Sequence, residues 1–145
     1  MSDLVQFLRD RLDEEAAEAQ AAADSAKGEH WYAHARQTGR RTPREYVGAS
    51  TDPRLSRSGS KPIRANQSQL TRYIARHDPA SVLRDITADR ALLAAYEAVA
   101  EMDAEGAEPE FAYGRAVGLG EAVRYRAARF DNHPDYDEAW RPSAE

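Results

Sequence analysis

The sequence predicts an α+β fold, mainly α, with about four helices and a small antiparallel hairpin or sheet between helix 1 and helix 2. Apolar residues recur at helical spacing near the start of the chain and again beyond residue 66, whereas Gly and Pro crowd residues 27–66. Within that turn-rich stretch, short runs of aromatic and β-branched residues favour a pleated surface.

Ser2 can cap a first helix whose positions Leu4, Val5, Leu8, Leu12, Ala16, Ala19 and Ala23 share one side, with Asp3 at its positive end. Beyond Ala16 that side is only alanine, so the grip weakens toward Asp24 and Ser25. The runs His30 to Ala35, Glu45 to Ala49 and Pro62 to Ala65 read as short strands inside a basic β/loop insertion, residues 27–66. Residues 50–61 read as a loop tip. A short helix starts at Asn66 or Ser68 and stops near His77, because Pro79 disfavours helical geometry at the residue before it. Asp78 then caps a third helix with Pro79 in its first position, running to about Met102. A fourth opens at Pro109 and runs to about Phe130, folded back on the third as an antiparallel hairpin. Residues 131–145, with Pro134, Pro142, Tyr136 and Trp140, form an irregular tail pinned by its aromatics.

At 145 residues, 41% apolar and 31% charged, the chain has the size of a single domain spanning 1–145. Zero cysteines remove thiolate metal sites and thiol nucleophiles. Residues 1–11 mix charges with Leu4, Val5, Phe7 and Leu8, unlike a signal peptide, and no window nears the roughly 18 apolar residues that cross a bilayer. A cytoplasmic protein without a membrane partner is expected. The formal net charge of −5 hides an uneven distribution. Residues 27–76 hold eleven Lys and Arg against Glu29, Glu45 and Asp52, and carboxylates outnumber bases on both flanks.

Several constellations invite a chemical interpretation. His30 and His34, four apart, could begin a metal site on a helix, but on a strand they sit roughly 13 Å apart, too far to share one ion. Asp85 and Asp89 lie one helical turn apart within the apolar arc of the third helix; they could act as acid and base, or be neutralised by Arg84, Arg90 or the basic segment. His77 and His133 are the candidate bases, both at ordinary element boundaries. Gly114, Gly118 and Gly120 lie in a helical pattern with no preceding strand, so they fit close approach of another helix better than a phosphate loop. Ser56, Ser58 and Ser60 flank Gly59 without the strand and glycine spacing of a nucleophile elbow.

Arg36, Arg40, Arg41, Arg44, Arg64, Arg72 and Arg76, interleaved with Tyr46, supply the residue types that bind phosphates and stack on bases. The acidic flanks could equally neutralise them within the fold. Trp31, Tyr32, Tyr136 and Trp140 are the aromatic types that anchor interfaces, and serve equally well in a core.

The stretch Tyr73 to Leu83, with Arg76-His77-Asp78-Pro79 at its centre, resembles a family of small, functionally uncharacterised proteins of Streptomyces, related actinobacteria and their phages. His133 to Pro142 and the opening Asp3 to Asp13 are similar to that family too. The resemblance implies a layout rather than a reaction. Members often carry a histidine where Tyr73 stands, which with His77 would make a helical pair; Tyr73 breaks it here. The expected function is therefore a non-catalytic small interaction protein that binds another protein or itself as a homodimer, with no catalytic residues, metal or cofactor. Nucleic-acid or other polyanion binding through residues 36–76 is the alternative, and a metal- or carboxylate-dependent enzyme the second.

Overall fold

The computed structural model describes residues 3–36, 44–51, 63–65, 68–102 and 109–142. In chain order they form α1 (Asp3–Ala26), β1 (His30–Arg36), β2 (Arg44–Ser50), β3 (Ile63–Ala65), α2 (Ser68–Arg76), α3 (Pro79–Met102) and α4 (Pro109–Ala127). Two single-turn 3₁₀ helices follow, Ala128–Phe130 and Glu138–Trp140. The expected four helices and antiparallel sheet are present. The Ser2 cap and most of the loop tip at 50–61 lie outside the described residues. Two compact units divide the chain, Met1–Glu14 with Ile86–Glu145, and Glu15–Asp85, so that α1 and α3 contribute to both.

In the first unit, Leu4, Val5, Phe7, Leu8 and Leu12 of α1 are buried, and α3 and α4 add Ile86, Leu93, Val99, Val123 and Ala127. Burial of each large aliphatic side chain contributes about 1.5–3 kcal/mol, which places the weight of this unit on the opening turns of α1. Ion pairs set the directions of the helices: Arg9 meets Glu97 and Asp13 meets Arg90, so α1 and α3 run antiparallel. Tyr96 of α3 covers Gly120 of α4, and Asp89 meets Arg126, which makes α3 and α4 the expected antiparallel pair. Phe7 is the hub for the tail. Its ring centroid lies 6.4 Å from Phe130, 5.7 Å from His133, 5.9 Å from Tyr136 and 5.1 Å from Trp140.

The second unit is built on a sheet of order β1-β2-β3. β1 pairs with β2 from His30↔Ser50 to Arg36↔Arg44, and β2 pairs with β3 from Glu45↔Ala65 to Val47↔Ile63. α2 packs against all three strands and buries Thr71, while Val47 and Ala49 are buried on the central strand. Asp78 joins the sheet to α3. One carboxylate oxygen accepts from the Ser81 amide at 2.7 Å as the helix cap, and the other accepts from the Trp31 amide at 3.1 Å. The Ala80 amide donates to the Glu29 carbonyl at 3.1 Å, a second tie between the same two chain segments.

α1 ends in a motif that normally uses glycine. The Gly28 amide donates to the Ala23 carbonyl at 2.9 Å and the Lys27 amide to the Asp24 carbonyl at 3.2 Å, which leaves Lys27 left-handed at φ 58°. The next residue is glycine for a different reason: a Cβ on Gly28 would lie 2.5 Å from backbone atoms of Ser50. Adjacent substitutions should therefore have opposite signs. Lys27→Gly is expected to stabilise the protein by up to about 1 kcal/mol by removing the Cβ from a left-handed position, whereas Gly28→Ala should destabilise it by about 1–3 kcal/mol through the clash. Chemical denaturation of the two variants measures both.

Candidate functional site

The aromatic residues singled out as interface anchors all have partners within the chain. The Trp31 indole N–H donates to the Gly28 carbonyl at 3.1 Å. Tyr32 lies over its cross-strand partner Gly48, where a Cβ would come within 2.5 Å of the ring. Tyr136 is buried, Trp140 is half-buried, and their rings meet edge-on at 5.8 Å. Trp31 and Tyr32 are half-buried like Trp140, so three of these four rings keep part of their surface in solvent.

The two aspartates of α3 have different surroundings. Asp85 is exposed. The Asp89 side chain is only 2% exposed, with one oxygen 2.9 Å from Arg126 Nε and the other 3.0 Å from Arg129 Nη1. Both oxygens are thus spoken for by guanidinium groups. His133 has its Nε2 against the Arg11 guanidinium, and its Nδ1 accepts from the Asp135 amide at 3.1 Å. His77 is exposed, its ring tilted against that of Tyr73 with centroids 4.5 Å apart. His30 lies on β1 beside Glu29 and Asp78, and the side chain of His34 is outside the described residues. Among the described residues no group of three or more His, Asp or Glu could hold a metal ion. An open cavity of about 520 Å³ lies at the end of α1, with Asp24, Lys27 and Glu29 in its wall.

Of the basic residues, Arg40 and Arg41 are outside the described residues, as are the side chains of Arg36, Arg44 and Arg64 on the three strands. Arg72 and Arg76 are both exposed on α2.

The most distinctive surface is one the expected site residues did not include. α4 buries Val123 and Ala127, half-buries Ala116, Leu119 and Ala122, and turns its remaining side outward. On that outer side Tyr113 is 71% exposed, Val117 44% and Tyr125 62%. Among the described residues nothing comes within 4 Å of a Cβ placed at Gly114 or Gly118. At a helical repeat of 3.6, Gly114, Gly118, the exposed Glu121 and Tyr125 form a single ridge opposite the buried side. The sequence signal was the two glycines four apart with Tyr113 and Val117 at the same spacing, all lying off the helix's apolar arc. The surface is low at the two glycines, with Tyr113 and Val117 on one edge and Arg115 on the other, a shape that admits a second backbone at short distance over residues 114–118.

The family model of DUF6221, described as a family of unknown function, matches residues 1–142, and the chain belongs to that family. No curated protein and no solved structure matches it. Among the described residues no helix is long and apolar enough to cross a membrane.

The Asp89 cluster makes an asymmetric prediction. Arg126 and Arg129 are 48% and 41% exposed, so either can return to water if the carboxylate is removed, whereas Asp89 has no access to water if the arginines are removed. Replacing both arginines with Met should cost about 3 kcal/mol or more, and Asp89→Asn clearly less, as read from denaturation midpoints.

Proposed function

We propose that this protein is a non-catalytic interaction protein that binds a protein partner, another chain or a second copy of itself, through the outer side of α4. The observation that supports this is the combination on one helix of three exposed large apolar residues and two glycines with open space above them. Glycine inside a helix costs about 1 kcal/mol relative to alanine. At Gly114 and Gly118 nothing within the described chain offsets that cost, while a partner helix packed at short distance would. Exposed tyrosine is among the residue types that carry binding energy at interfaces. We further infer a cytoplasmic location and an actinobacterial or phage origin, the latter from the stretches at 73–83 and 133–142.

Gly118→Leu separates this function from a merely structural role. In the isolated chain the leucine enters open space and improves helix propensity, so stability should rise by up to about 1 kcal/mol. Partner binding should fall at least tenfold, because the side chain fills the space a partner backbone needs. Light scattering over a dilution series reads self-association, and quantitative capture from the native host, comparing wild type with the variant, reads a foreign partner. A monomeric mass at every concentration, together with no captured protein whose yield depends on residue 118, overturns the proposal.

A further inference from the structure

We infer that the outer face of α2 is a binding site for single-stranded nucleic acid. Gln69, Arg72, Tyr73, Arg76 and His77 are all exposed, and at helical spacing they occupy one continuous face, opposite the buried Thr71 and the half-buried Ile74 and Ala75. That face carries no carboxylate. Among the described residues neither Arg72 nor Arg76 has an ion-pair partner, and they stand four apart, one turn from each other along the helix. Two exposed guanidinium groups one turn apart suit an anion with two charged groups in series.

The ring at the centre of the face selects the kind of anion. Tyr73 is 64% exposed, and its ring lies 4.5 Å from that of His77 at a tilt of 48°, so much of the aromatic surface meets water. An exposed aromatic ring beside two arginine positions suits an unpaired base with its neighbouring phosphates, since stacking needs a base free of its duplex and the arginines need a charged backbone. An acidic peptide would use the arginines and gain little from the ring. The helix is nine residues long, about 13 Å, so the site spans only a few nucleotides and its affinity is correspondingly modest. This site is separate from the outer side of α4 and does not depend on it.

The test is fluorescence anisotropy of the full-length protein with fluorescein-labelled dT12 and U12 at low salt, followed by a salt titration. Wild type should bind, and its log Kd should vary linearly with log salt. Tyr73→Ala should weaken binding about tenfold, and Tyr73→Phe should retain it, because the ring and not the hydroxyl does the stacking. Replacing Arg72 and Arg76 with Ala should lower the salt slope by about 1.4, at roughly 0.7 per phosphate contact on a single strand. All these side chains are exposed, so the variants should fold, which circular dichroism checks. No binding at low salt overturns the inference. So does binding that is indifferent to Tyr73, or that a poly-glutamate peptide displaces as effectively as unlabelled dT12, since either result makes the face a general anion or acidic-peptide site.

Discussion

The Asp89 carboxylate decides which way α4 faces. It is buried on α3, and a buried charge must be met by partners or pay heavily in lost hydration. Arg126 in the last turn of α4 and Arg129 in the 3₁₀ turn after it meet one oxygen each. With that end of α4 held, Val123 and Ala127 are turned inward and Gly114, Gly118 and Tyr125 outward. The exposed apolar side of the helix is thus a consequence of how its other side is anchored.

A similar economy governs the second unit. Asp78 is at once the cap of α3 and the acceptor for the first amide of β1 beyond His30, so a single carboxylate starts the helix and ties the sheet to it. α2 is laid against the strands by this junction and by Thr71. Its arginines and Tyr73 then have nowhere to go but the surface. Neither exposed face arises from a cleft. Both arise from helices that, among the described residues, are covered on one side.

The local boundaries were legible because local chemistry sets them. Pro79 and Asp78 mark the end of α2 and the start of α3 whatever the rest of the chain does, and Pro109 opens α4 in the same way. The strands were legible from Trp31, Tyr32, Tyr46, Val47 and Ile63, residue types that favour a half-buried pleated surface. Phe7 was harder. It lies at the edge of the α1 stripe, and nothing local distinguishes it from a surface residue, yet it gathers Phe130, His133, Tyr136 and Trp140 from the far end of the chain. Composition names residue types that suit either a core or an interface, and only neighbours more than a hundred positions away give Tyr136 and Trp140 their place against Phe7.

By itself the sequence determined the succession of helices and strands, the caps between them and the concentration of basic residues in the middle of the chain, since each depends on interactions within a few positions or on composition alone. The tertiary structure decided which sides those elements bury. Periodicity locates an apolar arc but leaves its edges open, so the exposure of Tyr113, Val117 and Tyr125 on α4, and of Arg72, Tyr73 and Arg76 on α2, follows from long-range contacts and nothing nearer. Lys27 shows the same division: its side chain gives no local reason for a left-handed turn, and the backbone adopts one because the chain must leave α1 and enter β1 within three residues.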